Sequence, residues 1–231
     1  MNPRDLKVKL RHKGLPGLLR QLCAHCLYGQ RRLLWMERDL TLEAPRLQRP
    51  HHWCYPSITR ELLPAFERHF SRHLAVIDDL LEQPGVQGLA ALDGEGHVCA
   101  FVWYSDRDYY DRHYYRCWFP VTASGVYLFA MEVACEHRGS ALLLGGQEHL
   151  WGLLRAAGHQ RARAVVDTRN ACARKLLGHL GFQPLGWQTR VFTLFGRLRF
   201  CHQPPAVRDQ LGSHTGSNAW YRFQQPFRRF P

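Results

Sequence analysis

No run of about 18 uncharged apolar residues occurs anywhere in the sequence, which argues against a transmembrane helix. The order of regions in a secretory leader is also missing, because Lys7, Lys9, Arg11 and Lys13 precede an apolar segment interrupted by Arg20 and His25. A cytoplasmic location is the resulting expectation. Cys23 and Cys26 form a CxxC with no second CxxC or HxxxH at zinc-finger spacing, and His51, His52 and Cys54 are crowded without a fourth ligand. No metal is therefore expected. The eight cysteines are too dispersed over 231 residues for a disulfide scaffold, and reduced thiols fit best. Cys135 and Cys172 lack a histidine–carboxylate arrangement and read as packing residues. Internal repeats are absent, and so is any recognised DNA- or RNA-binding motif. Acidic residues are scarce, 19 against 31 Lys and Arg, and the net charge of +12 favours a polyanionic partner or an anionic membrane surface.

What the sequence does hold is periodic. Leu15, Leu18, Leu19, Leu22, Cys23, Cys26 and Leu27 share one helical face, which predicts a basic amphipathic helix within an extension over residues 1–32. Such a helix either docks on the core or lies on an anionic bilayer. The run from Leu33 to Leu42 reads as a first strand, and Ser57 to Leu81 as helical, starting at Ser57 and ending at Pro84-Gly85. Val86–Leu92 and His97–Tyr104 predict a hairpin about Asp93-Gly94-Glu95-Gly96. A strand over Val126–Val133, a helix from Ser140 to Ala157, a strand over Ala162–Asp167 and a helix from Asn170 to His179 follow. Phe182 to Phe200 supplies two closing strands, and residues 201–231 read as a loosely held tail. The order predicts a mixed α/β fold, a mostly antiparallel sheet flanked by helices, over residues 33–200.

Ligands of such sheets gather at the carboxyl ends of central strands, which directs attention to the segment from Glu132 to Leu143. There a strand runs through Val133-Ala134-Cys135-Glu136-His137-Arg138-Gly139-Ser140-Ala141 into a helix. Unpaired amides and a positive dipole end suit a pyrophosphate, with Arg138 and Ser140 as added donors. The segment resembles the central motif of the GNAT superfamily of acyl-CoA N-acyltransferases, roughly V-x-P-x-x-R-G-x-G-x-G, at Val133, Arg138 and Gly139. The family's next motif, roughly N-x-x-A-x-x-L-Y-x-x-x-G-F, is similar to Asn170, Ala173, Leu176, Gly181 and Phe182.

This resemblance, over about Val86 to Phe200, implies a GNAT-like fold and direct acyl transfer from acetyl-CoA to an amine or hydroxyl. It implies acetyl-CoA contacts at Val133, Arg138, Gly139, Ser140, Ala141, Leu142, Leu143 and Asn170, and an oxyanion donor on the main chain near Val133. Cys135 replaces the usual proline, Ala141 and Leu143 replace glycines, and Leu177 stands where many members carry a tyrosine that protonates the departing thiolate. A non-catalytic acyl-CoA-binding module is the alternative this last change raises. Basic nucleic-acid binding is a further alternative, resting on charge and aromatics alone.

Glu132, on the strand beside the expected thioester, is the first candidate base; Glu136, Asp106, Asp108, His113 and Tyr114 are alternates. Alternation places Glu132 and Val133 on opposite faces, so Glu132 could instead pair with an arginine. The segment Asp106 to Trp118 mixes tyrosines with charge, and Tyr109, Tyr110, Tyr114 and Tyr115 are expected to hold a small-molecule or glycan acceptor. The basic N-terminus ahead of such a domain is similar to bacterial acetyltransferases of cell-surface polysaccharides or their precursors.

Overall fold

The structure, a computed structural model, describes residues 28–42, 53–140, 142–196 and 198–207. The amphipathic helix expected near the N-terminus, Ala141 and the chain after residue 207 lie outside the described residues.

Among the described residues, nine strands and four α-helices follow one another as β1 (Tyr28–Asp39), α1 (Leu63–Phe70), α2 (Leu74–Leu81), β2 (Val86–Leu92), β3 (Val98–Ser105), β4 (Tyr109–Tyr110), β5 (Trp118–Phe119), β6 (Gly125–Val133), α3 (Leu142–Ala156), β7 (Arg161–Asp167), α4 (Ala171–His179), β8 (Gln183–Leu194) and β9 (Leu198–His202). Seven strands form one sheet in the order β2-β3-β6-β7-β1-β8-β9, while β4 and β5 form a separate ribbon. Each pairing in the large sheet is antiparallel except β6 with β7, which the crossover helix α3 joins in parallel.

Both faces of the sheet are covered, and each strand divides its side chains between them. Leu33 and Trp35 of β1 join Phe66, Phe70 and Ile77 of α1 and α2 on one face. Met36 of the same strand joins Leu150, Trp151 and Leu154 of α3 and Leu177 of α4 on the other. Arg38 lies over the Trp151 ring at 5.3 Å and donates to the Leu180 carbonyl. The neighbouring Gly181 has φ +83°, in the left-handed region that strains any residue with a Cβ, and the Arg38 guanidinium lies against it.

Several boundaries differ from expectation. β1 begins at Tyr28, not Leu33, so it reaches into the segment assigned to the N-terminal extension. Its first residues, from Tyr28↔Leu194 to Arg32↔Arg190, pair only with β8, which leaves polar Gln30, Arg31 and Arg32 half or fully exposed. Ser57 is extended and bridges Leu89, so it starts no helix. The segment expected to be helical is interrupted by a 3₁₀ turn over Ser71–His73, which separates α1 from α2. At the other end β9 continues to His202 and Val207 is fully buried, so the packed region passes residue 200. Cys117 and Cys201 form a disulfide, which corrects the reading of eight reduced thiols. Cys135 and Cys172 are exposed and therefore are not packing residues. No helix among the described residues is long and apolar enough to cross a membrane.

Candidate active site

The parallel pairing of β6 with β7 runs from Gly125↔Arg161 to Leu128↔Ala164 and stops, although both strands continue. Residues 129–133 of β6 are only half-buried, whereas 125–128 are buried. The two strands thus part at their carboxyl ends. On its other edge β6 stays paired with β3, but the register shifts between Trp103↔Phe129 and Phe101↔Glu132. Ala130 provides the extra residue, with φ +48°, in the left-handed region.

The bulge decides where Glu132 points. Tyr127 and Phe129 face the α1/α2 side, and strict alternation would send the odd-numbered Met131 there too. Instead Met131 packs on the α3 side, where Gln147 Nε2 lies 3.4 Å from its sulfur, and Glu132 turns toward α2. Val133 packs near Leu142 on the α3 side.

Glu132 meets the break between α1 and α2. Its Oε1 accepts from Arg72, and its Oε2 lies 2.8 Å from His73 Nε2. His73 Nε2 is also 3.0 Å from Arg72 Nε. Beside this group lies a cavity of about 200 Å3. Val76, Ile77 and Leu80 of α2 with Phe101 and Trp103 of β3 make its apolar wall, and His73, Glu132 and Tyr114 its polar one.

The loop after β6 takes the form of a 3₁₀ turn, Cys135–His137, followed by Arg138 and Gly139 and the start of α3. Arg138 is exposed, and its Nε donates to the Val133 carbonyl at 3.3 Å. Ser140 Oγ donates to the His137 carbonyl at 2.7 Å and accepts from the Leu142 amide at 3.4 Å. Gly139 has φ +81° with open space where a Cβ would be, and its N–H has no partner among the described residues. Leu142 is buried and Leu143 half-buried at the first turn of α3. Val133, Arg138, Gly139, Ser140, Leu142 and Leu143 are thus one continuous segment. Asn170 stands apart, after the carboxyl end of β7, and its side chain caps α4 by accepting from the Ala173 amide at 3.0 Å.

The tyrosine-rich segment is organised differently from expectation. Tyr109 is only 4 % exposed and stacks on Phe129 with centroids 4.0 Å apart. It is a core residue, its phenol pushed far up by burial, and is withdrawn as an acceptor contact. Tyr110 packs on Trp118 across the β4–β5 ribbon, and Tyr115 sets its edge on Phe119. Tyr114 alone of the four lines the cavity. Its phenol is raised by burial first and then by the nearby Glu132 carboxylate.

The charges of this segment hold the loop rather than a ligand. Asp111 is buried and accepts the amides of His113, Tyr114 and Tyr115. Asp108 accepts from the Val121 amide at 2.8 Å, and exposed Asp106 is 3.7 Å from Arg107. His113 and Arg112 reach Asp79 of α2 at 2.9 and 3.3 Å. Arg199 donates to the Tyr114 carbonyl, and the Cys117–Cys201 disulfide ties the same loop to β9. Glu136 sits with His69 and His137, at the 3₁₀ turn that precedes Gly139. His73 and Gln147 were not anticipated: a histidine in a broken helix and a glutamine on a helix face carry no local signal.

Leu177, where a thiolate-protonating tyrosine was sought, is 7 % exposed and packed in the α3/α4 core. Gln147 is 5 % exposed, and its Oε1 has no partner among the described residues.

No protein-family model matches the sequence, and no curated protein matches it. Solved structures do resemble the fold. A GCN5-related N-acetyltransferase from Sphaerobacter thermophilus superposes with a TM-score of 0.50 at 17% identity, over 79% of this chain and 57% of that one. A Drosophila protein gives 0.50 at 14% identity, over 80% and 59%. An aminoglycoside N-acetyltransferase solved with CoA gives 0.44 at 16%, over 56% and 91%. The chain thus spans less than two thirds of the first two. With its parted β6 and β7, a mixed, mostly antiparallel sheet and helices on both faces, it has the fold of the GCN5-related N-acetyltransferases.

Proposed function

We propose that this chain transfers an acetyl or similar short acyl group from acetyl-CoA to an amine or hydroxyl, by direct attack and without an acyl-enzyme. The observation that carries this reading is the parting of β6 from β7 beyond Leu128, with the Ala130 bulge directing Glu132 into a cavity and the strand leading on to the open Gly139 loop. A thioester lying between the parted strands would meet the β6 main chain near Val133, whose amides can stabilise a developing oxyanion. The pyrophosphate would rest on the Gly139 amide and the first turn of α3, with the exposed Arg138 able to exchange its contact to the Val133 carbonyl for one to the phosphate.

Glu132, held by Arg72 and His73, would take the acceptor's proton directly or through a water. The departing thiolate finds no hydroxyl at Leu177 and takes its proton from water. That same buried leucine favours a second reading, a module that binds acyl-CoA without transfer.

The acceptor site takes a small amine- or hydroxyl-bearing group, since a cavity of about 150 Å3 already holds a benzene ring. A polysaccharide precursor would have to present a terminal group past Tyr114, because Tyr109, Tyr110 and Tyr115 are engaged in packing.

The experiment is calorimetric titration of coenzyme A together with thioester turnover over a panel of acceptors. Gly139→Val should raise the CoA dissociation constant at least several-fold, because a β-branched residue is strained at φ +81°. Unchanged affinity in the folded variant removes the reading. Tight CoA binding with no transfer to any acceptor selects the module.

A further inference from the structure

Most carboxylates near the site have cationic or amide partners: Glu132 has Arg72 and His73, Asp79 has His113 and Arg112, and Glu95 has Arg68. Glu136 has no ion pair or hydrogen bond among the described residues, and neither imidazole beside it, His69 or His137, has a side-chain hydrogen bond. The ligating atoms of these three residues all lie within 4.8 Å of one another, and the two imidazoles meet edge to face with centroids 6.0 Å apart. They come from different elements, His69 from the last turn of α1 and Glu136 and His137 from the 3₁₀ turn ahead of Gly139. Asp93 and Glu95 of the β2–β3 turn share the cleft, with Arg68 the one arginine or lysine lining it among the described residues. In a chain of net charge +12 this cleft carries local negative charge.

We propose that His69, Glu136 and His137 form a binding site for a divalent transition metal, zinc in the first instance, that ties α1 to the loop preceding α3. Two imidazoles and one carboxylate match the N,N,O donor set zinc accepts, whereas calcium and magnesium favour all-oxygen sites. At metal–ligand bonds of about 2.0–2.1 Å, tetrahedral neighbours stand about 3.4 Å apart. The three side chains therefore close by roughly an ångström when the ion binds, which rotation of the exposed Glu136 and the half-buried imidazoles allows. A fourth position stays open to water or to an anionic ligand.

The ion would sit two residues before Gly139. If the acetyl-CoA reading holds, on which this extension alone rests, the ion's charge and its grip on the loop link metal affinity to CoA affinity, each changing the other by the same factor.

The test uses the full chain, stripped of metal with a chelator. Zinc titration by calorimetry is compared with cobalt absorption spectra in the native protein and in His69→Ala, His137→Ala and Glu136→Gln. The native protein should bind with cobalt bands of nitrogen and oxygen ligation, and each variant, having lost a ligand, should lose at least the roughly 10-fold in affinity that loss of an outer-shell partner already costs. Glu136→Gln, at an exposed side chain without partners, keeps the result readable if a histidine variant fails to fold. Equal affinity in the folded variants, a thiolate-to-cobalt charge-transfer band, or no binding overturns the site. Coenzyme A titration with and without zinc should then shift several-fold in the native protein and not in Glu136→Gln. A CoA affinity indifferent to zinc overturns the linkage alone, and absent CoA binding overturns the acyltransferase reading while the zinc result stands by itself.

Discussion

Glu132 reaches its cavity because Ala130 adopts a left-handed conformation and inserts one residue into the count along β6. The glutamate could be picked from the sequence as a strand carboxylate beside a glycine-bearing turn, but its face could not, since a bulge resets a period of two without leaving a mark in residue type. Its pairing with Arg72 and its place on the cavity wall coexist; the arginine orients what the cavity uses. Glu132→Gln should leave CoA affinity intact and slow transfer by roughly 100-fold or more, measured as turnover at saturating substrates. Near-native turnover would move the base to another residue. The tyrosines separate in the same way. Tyr109→Ala removes a ring stacked on Phe129 in the core and should destabilise by about 3–5 kcal/mol in chemical denaturation. Tyr114→Ala, at a half-exposed ring, should leave stability nearly unchanged while raising the acceptor KM. The reverse pattern would show that the acceptor lies elsewhere.

At the scale of elements, strands and helices were legible wherever a hydrophobic period ran on both sides of a turn signal. β2, β3, β6, β7 and both α3 and α4 fall within two residues of their sequence-based bounds. The first half of β1 was not legible, because a strand segment with one neighbour keeps polar residues such as Arg31 and Arg32 on view. The segment from Asp106 to Trp118 misled for a different reason. Its charges looked like ligand contacts, and most of them close a loop: Asp111 gathers three amides, and Asp79 draws His113 and Arg112 onto α2. The Asp79 carboxyl is subject to burial, which raises its pKa, but the hydrogen bonds from His113 and Gln83 and the charges of His113 and Arg112 prevail and leave it below the ordinary carboxylate value. A depressed folded pKa contributes stability that is present above the unfolded value, roughly pH 4, and is lost as pH falls through the folded one. The melting temperature should therefore fall by a few degrees on acidification below about pH 4, and Asp79→Asn should start lower and lose part of that dependence. An Asp79→Asn profile parallel to the native one would show that other carboxylates govern acid stability.

Across the whole molecule the basic charge is unevenly placed. Residues 1–27 hold six Lys and Arg against one Asp, and residues 208–231 hold four Arg against one Asp, so these two ends carry +8 of the net +12. The remainder is close to balanced, and its cleft at Glu136 is locally acidic. Bulk charge in the sequence thus pointed to a polyanion without saying which part of the chain would meet it. The fold was legible as a layered α/β sheet, but not the strand order that sets β1 between β7 and β8, since β1 pairs with β7 across more than a hundred residues of chain. Contact of the N-terminal segment with an anionic membrane remains a proposal with a definite consequence. Each Lys or Arg near an anionic surface contributes about 1 kcal/mol, so replacing Lys7, Lys9, Arg11 and Lys13 by Gln should cost about 4 kcal/mol, close to a thousand-fold in partitioning. Sedimentation with phosphatidylserine vesicles at low salt measures this, and added salt should release the native chain as screening sets in. The acetyl-CoA KM should not move, because the proposed site is built by β6 and α3. Vesicle binding that survives the four changes would place the contact on the folded domain or its C-terminal residues, and an acetyl-CoA KM that rose with them would show that the N-terminal segment reaches the phosphate loop.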